Sequence, residues 1–316
     1  MSAEWPLGSE VRRRDTANGV MLYDASRAGN LQPDTFDPAH MRRKGLIEGE
    51  ARGRGSAFFL RVDNHAWVLR HYRRGGLMAK LSQDRYRWRG ENATRPFAEW
   101  QLLYHLYRAG LPVPAPVAAR YRRHGFTYSG DIITERLPDT RSLAQALREQ
   151  PQSLLNWIAI GRCLRLFHDR GVCHADLNAH NILLGTTDPQ SGLPGSATVW
   201  LIDFDRGSLR RPGGWMDANL VRLRRSLEKV CWGLPPAHFT ESDWHGLLDG
   251  YQQGHAGAPP VRVAAEPAPN IEPAVAGMSA AVTQTPRAPT AAAEAMPPTP
   301  PPDPAERDTS AQQPGV

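Results

Sequence analysis

Four polar residues carry the chemistry of this chain: His174, Asp176 and Asn181 within eight positions, and Asp203 further on. They occur as His174-Ala175-Asp176-Leu177-Asn178-Ala179-His180-Asn181, then the apolar run Ile182-Leu183-Leu184, then Val199–Ile202 leading into Asp203-Phe204-Asp205. The order is H-x-D-L-x-x-x-N, strand, turn, strand, D-F-x, which suits phosphoryl transfer. That reaction needs a carboxylate at the attacking hydroxyl, to orient it and accept its proton, and Asp176 has the type for this. Asn181, five residues later, offers an amide oxygen for Mg2+, and Asp203 a second carboxylate bridging metal and nucleotide phosphates. His174 braces the loop and need not touch substrate. Any one of these residues alone reads equally as a turn or cap residue; the flanking helix and strands give the set its meaning.

Positioning them requires a helix before the loop and strands after it. Leu154–Arg170 has the length and periodicity of a buried helix closing at Gly171. Gly185–Ala197, polar and rich in Gly and Pro, reads as a lengthened turn between the two strands. The front half is strand-rich: Gly19–Asp24 is a short strand, and Ser56–Val62 with Ala66–Tyr72 suggests a hairpin about Asp63-Asn64-His65. Pro96–Ala109 reads as a helix with Pro at its start and Gly110 at its end. The prolines at 112, 114 and 116 impose an extended stretch, and Asp131–Leu137 is a further strand. This is an α+β pattern, with a strand-rich lobe over 41–134 and a helical lobe over 135–254. Residues 1–40 are a preamble. From His255 the composition changes: 14 of the 28 prolines fall in residues 255–316, which read as a disordered tail.

A nucleotide site is expected in the strand-rich lobe. Gly49, Gly53 and Gly55 precede the hairpin, where backbone N–H groups can approach phosphates, although a plain glycine-rich turn fits as well. Arg70 on the second hairpin strand takes the place of the phosphate-binding cation, with Glu99 on the following helix as its partner and Lys80 as the alternative cation. Protein kinases have Lys where this chain has Arg70, and an arginine fork imposes different geometry.

The stretch Arg70–Arg95 interleaves Arg73, Arg74, Lys80, Arg85, Arg87 and Arg89 with Tyr72, Tyr86 and Trp88. It suits an anionic substrate, a phospholipid surface or stacked bases, or is simply a solvated charged face. A second basic cluster, Arg206, Arg210, Arg211, Arg222, Arg224 and Arg225, follows Asp203 and borders the acceptor region. Residues 1–254 hold 35 Lys and Arg against 26 Asp and Glu, a net +9 that favours anionic partners. The three cysteines have no C-x-x-C spacing, which suits a reducing compartment. No apolar stretch approaches the ~18 residues of a spanning helix, so membrane contact is expected to be peripheral.

The segments VLRHYRRGGLMAKLSQDRYRW, FAEWQLLYHLYRAGLPVPAPVAARY, IITERL, LFHDRGVCHADLNAHNILL and VWLIDFDRG resemble the 3-deoxy-D-manno-octulosonic acid (Kdo) kinases, relatives of the lipopolysaccharide core heptose kinases, over residues 40–235. The resemblance implies a protein-kinase-like fold and transfer from ATP with Mg2+ to the 4-hydroxyl of Kdo on a lipid A precursor. It further implies work at the cytoplasmic face of the bacterial inner membrane, and that Arg70 in place of Lys is ordinary for this branch. No A-P-E follows Asp203; Arg211-Pro212-Gly213-Gly214-Trp215 stands there instead, which disfavours a protein acceptor. The remaining readings are a kinase of a heptose, an aminoglycoside-like sugar or a protein hydroxyl, and a pseudokinase scaffold, which the metal-binding set opposes. No nucleic-acid partner is expected, because acidic motifs beside phosphates are unfavourable without bound metal.

Overall fold

The computed structural model describes residues 7–51, 57–73, 84–187, 193 and 195–254. Its front part comprises β1 (Val11–Thr16), β2 (Gly19–Asp24), α1 (Ala25–Ala28), a 3-10 turn (Pro33–Phe36), α2 (Pro38–Arg43), β3 (Ile47–Ala51), β4 (Ala57–Val62), β5 (His65–His71), β6 (Tyr86–Arg87), α3 (Arg95–Arg108), β7 (Pro116–His124) and β8 (Thr127–Glu135). The rear part comprises β9 (Arg141–Ser142), α4 (Leu143–Glu149), α5 (Leu154–Asp169), β10 (Val172–Cys173), β11 (Ile182–Thr187), β12 (Ala197–Leu201), β13 (Ser208–Leu209), α6 (Trp215–Cys231), a 3-10 turn (Pro236–His238) and α7 (Glu241–Gln253). A strand-rich lobe is thus followed by a helical one, the order of a protein-kinase-like fold.

The first lobe is one antiparallel sheet in the order β1-β2-β7-β8-β5-β4-β3, with β6 added at β8. Alternation along the strands sends side chains to two cores. In β2, Val20 and Leu22 join the large core under α3, whereas Met21 and Tyr23 join a second core with Phe36 and Met41. Covered on both faces, β2 reads as a nearly unbroken apolar run. The stretch set apart above as a preamble therefore supplies two strands of this sheet and, through Leu31 and Phe36, part of one of its covers.

The hairpin turns one residue earlier than the sequence suggests. His65 pairs with Val62, and Asp63 turns the chain with a left-handed φ of 52°. Strand β7 was legible only as an extended stretch after the prolines, because its arginines mask it. Arg120 is buried there and bonds the buried Asp131 of β8 through Nε and Nη2, at 3.0 and 2.8 Å.

In the second lobe, α5 buries Trp157, Ile160, Gly161, Leu164 and His168, the spacing of one helical face. It lies so close to α7 that a Cβ on Gly161 would fall 2.0 Å from the Leu247 carbonyl oxygen, and one on Gly250 2.1 Å from that of Ile158. Only hydrogen in place of a side chain permits that crossing. Helices α4 and α7 start with reciprocal caps, Ser142 with Gln145 and Thr240 with Asp243.

Candidate active site

Helix α5 ends at Gly171, in a left-handed φ of 72°, where a Cβ would meet the Arg210 carbonyl oxygen at 2.5 Å. The chain then enters β10, which pairs with β13 (Cys173 opposite Ser208), so residues 174–207 leave and re-enter through a single short ribbon. Inside it, β11 pairs with β12 with Ile182 opposite Leu201. The ladder continues one step, since Ile202 N–H donates to the Asn181 carbonyl at 3.1 Å, and Asp203 therefore emerges beside Asn181. This register brings together residues more than twenty positions apart.

His174 is buried and braces both arms of the loop. Its Nε2 donates to the Ile202 carbonyl at 2.9 Å, and its Nδ1 accepts from Asp176 N–H at 3.2 Å. One nitrogen donating and the other accepting defines a neutral ring, and burial lowers its pKa in agreement. The ring packs 4.8 Å from Phe204, which is fully buried and also faces Phe167 at 5.8 Å.

The side-chain nitrogen of Asn181 donates to the Asp176 carbonyl at 3.0 Å, and its amide oxygen has no donor among the described residues. Asp203 sits at φ 63°, an uncommon conformation for a residue with a side chain, of the kind found where a site holds the backbone in place. Its Oδ1 lies 2.9 Å from Arg70 Nη1, without the angle of a hydrogen bond, and among the described residues has no hydrogen-bond donor; the atom is shielded from solvent. A shielded carboxylate oxygen lacking a true donor, on a residue that follows the rung joining Ile202 to Asn181, suits a hard cation. Among the described residues no group of three His, Cys, Asp or Glu side chains gathers for a metal. Mg2+ does not need one, because nucleotide phosphates and waters complete its shell.

Arg70 on β5 reaches Glu99 on α3 as well, Nη2 to Oε1 at 2.5 Å. The Tyr72 hydroxyl donates to the other Glu99 oxygen, and its ring lies 4.9 Å under the Arg70 guanidinium. Strand residues two apart share a face, which places Arg70 and Tyr72 on the same helix carboxylate. Burial opposes the Arg70 charge, but Glu99 and then Asp203 outweigh it and raise its pKa. For Glu99, burial pushes the carboxyl upward and the Arg70 charge opposes it.

Several participants were not foreseen. Arg95, the first residue of α3, donates through Nε to Asp205 at 2.7 Å and lies over the rings of Tyr86 (4.7 Å) and Tyr72 (5.5 Å). Helix α3 is thereby fixed to the Asp203-Phe204-Asp205 turn at its first turn, and to β5 through Glu99. Helix α6 supports the loop from below. Asn219 donates to the His174 carbonyl at 3.1 Å, Arg222 Nη1 donates to Asp176 Oδ1 at 3.2 Å, and the Ser226 hydroxyl accepts from Ala179 N–H at 3.1 Å. Their spacing, 219, 222 and 226, is one helical face, a signal present in the sequence once α6 is known to be helical.

Gly53, Gly55 and Lys80 lie outside the described residues; Gly49 is in β3, whose partner is β4, so residues 52–56 join those two strands. The aromatic residues of the basic stretch point inward: Tyr72 and Tyr86 are buried, and Trp88 packs on Tyr121 at 5.1 Å. Arg73, Arg85, Arg87 and Arg89 are exposed. Among its described residues the stretch is a charged surface over an aromatic core and not an interleaved stacking platform.

Comparison with known proteins decides the family. The lipopolysaccharide kinase (Kdo/WaaP) family profile matches residues 39–251. The chain belongs to this family. The chain is similar to the 3-deoxy-D-manno-octulosonic acid kinase of Haemophilus influenzae Rd, 39% identical over 241 residues, covering 75% of this chain and 97% of that one. The kinase of the same name from Stenotrophomonas maltophilia R551-3 is 46% identical over 217 residues, 67% of this chain and 81% of that one. A solved structure of WaaP in complex with acyl carrier protein aligns at a TM-score of 0.46 and 22% identity, over 72% of this chain and 86% of that one. Like the other Kdo/WaaP family kinases, the chain is an ATP-dependent phosphotransferase.

Proposed function

We propose that this chain transfers the γ-phosphate of ATP to the 4-hydroxyl of Kdo on a lipid A precursor during lipopolysaccharide core assembly. The observation that carries the reading is the gathering of Asp176, Asn181, Asp203, Arg70 and Glu99 around one polar centre, in a chain 39–46% identical to named Kdo kinases. The acceptor comes from those relatives, and the basic body agrees with an anionic, lipid-linked sugar.

In this reading Asp176 orients the acceptor hydroxyl and takes its proton as the bond to phosphorus forms. Neutral His174 holds the loop and keeps the Asp176 backbone in place. Asn181 and Asp203 would hold Mg2+, which supplies charge neutralisation at the β- and γ-phosphate oxygens. Arg70, kept extended by Glu99 and Tyr72, faces the nucleotide phosphates. Among the described residues no helix is long and apolar enough to cross a membrane. Peripheral contact with the anionic cytoplasmic face of the inner membrane, through exposed arginines such as Arg73 and Arg87, completes the reading.

The test is transfer of labelled γ-phosphate from ATP with Mg2+ to a Kdo-bearing lipid A precursor, beside a heptose-bearing core acceptor and a generic protein. Selective labelling of the Kdo acceptor, abolished by Asp176→Asn, is expected. Labelling of the heptose acceptor instead replaces the substrate and keeps the chemistry.

A further inference from the structure

We propose that Arg222 forms a binding site for the carboxylate of the reacting sugar, and that the acceptor frees the base Asp176 by taking over its ion pair. The inference rests on the sugar-acid acceptor proposed above and adds the residue that reads the acid.

Asp176 has one side-chain partner among the described residues, Arg222, and Arg222 has no other there. At 3.2 Å through a single nitrogen, the contact is longer than the ~2.7–2.9 Å of a close charge-assisted bond, and four of the five N–H donors of the arginine fork remain unused. Both side chains are more than half exposed, so the pair adds little to stability and is open to exchange. The helix beneath it is not loose. Leu223 and Leu227 are fully buried, and the Asn219 and Ser226 bonds dock α6 on the loop. The backbone of Arg222 is therefore fixed relative to Asp176 while its guanidinium can turn to a new partner.

Geometry selects the group that displaces Asp176. A base acts at ~2.6–3.2 Å from the hydroxyl it deprotonates, so the Arg222 nitrogen, 3.2 Å from Asp176 Oδ1, lies within about 6 Å of a hydroxyl oxygen held by that same Oδ1. This is the span of one sugar ring. A carboxylate on the same ring as the hydroxyl reaches it, whereas phosphates elsewhere on the lipid lie further off. Arg225, one turn along α6 on the same face, is exposed and extends the positive field along the helix. A neutral acceptor leaves Arg222 on Asp176 and the base engaged, so the exchange works as a selectivity device.

The experiment measures γ-phosphate transfer by the full chain and its Arg222→Met and Arg222→Lys variants to three acceptors. These are the Kdo-bearing lipid A precursor, the same precursor with the Kdo carboxylate converted to its methyl ester, and a neutral heptose-bearing acceptor. The expected result is a KM for the wild-type enzyme about tenfold or more lower for the acid than for the ester, a loss typical of a charged hydrogen bond. Arg222→Met removes most of that preference, and Arg222→Lys keeps part of it. ATP binding and the melting temperature, unchanged in both variants, show that the fold is intact. Equal use of acid and ester by the wild type overturns the inference and leaves the Kdo reading standing, and that arm needs no variant to fold. An equal loss on acid and ester in Arg222→Met overturns it too, as a structural effect. Preference of the wild type for the neutral heptose overturns both.

Discussion

Two arginine–carboxylate pairs flank the centre of this enzyme, and they are built in opposite ways. Arg70–Glu99 joins the sheet to α3, with Glu99 1% and Arg70 25% exposed, and Tyr72 and Asp203 completing its contacts. Arg222–Asp176 joins α6 to the loop, with both side chains over 50% exposed and one long contact between them. Removing a partner from a buried pair strands a charge that water cannot reach, whereas removing one from an exposed pair costs little. The buried pair thus fixes a position, and the exposed pair can change partner. In the proposed reading these are a rigid cradle for the nucleotide and a base that an acceptor can engage.

The sharpest way to break this comparison is Asp176→Asn. Transfer is expected to fall by about 10²–10⁴-fold with the melting temperature unchanged, because the exposed pair carries chemistry and not stability. A variant with more than a tenth of wild-type turnover would contradict the role of Asp176. Next comes Glu99→Ala, which leaves Arg70 and Tyr72 without their carboxylate. Denaturant titration is expected to show a loss of about 3–5 kcal/mol, against less than ~1 kcal/mol for Arg222→Met. Equal losses in the two variants would erase the distinction between the pairs.

Acid titration tests burial on a single group. Desolvation in the α5 core lowers the His168 imidazole from 6.5 to about 4, and its Nδ1 lies 2.7 Å from the Tyr251 hydroxyl. The unfolded chain takes up that proton near 6.5 and the folded one only near 4, so stability is level above pH 6.5 and falls as pH drops toward 4. The decline attributable to His168 is at most about 3 kcal/mol, and His168→Gln should flatten the melting-temperature profile over that window. An unchanged slope would reassign the acid sensitivity to other groups. The smallest effect belongs to the exposed arginines: replacing Arg73 or Arg87 singly by Gln should weaken sedimentation with anionic liposomes at moderate salt by about fivefold, about 1 kcal/mol per charge. Unchanged sedimentation would remove that face from the membrane contact.

How much of this could be read from the chain varies by element. The strand Gly19–Asp24, the helices about 95–109 and 154–170, and the order of loop, strand and Asp203 are written in local periodicity and in Gly and Pro punctuation. Strand β7 escaped because Arg120 and its neighbours look like surface until Asp131 is placed beside them. Helix α7 announces itself through the Thr240–Asp243 cap, a signal that a search for apolar periodicity passes over.

By itself the sequence pointed to a phosphotransferase and named Asp176, Asn181, Asp203, Arg70 and Glu99 as its candidate residues. Chemistry constrains residue type and local spacing, and both are one-dimensional properties. Only the tertiary structure decided that Tyr72 and Tyr86 face inward, that Arg95 secures α3 to Asp205, and that one arginine of a broad basic cluster, Arg222, rests on Asp176. An arginine looks the same in the sequence whether it is exposed, buried in a pair or placed against a base. Its surroundings are set by residues tens of positions away, and those are assembled only when the sheet and the helices pack.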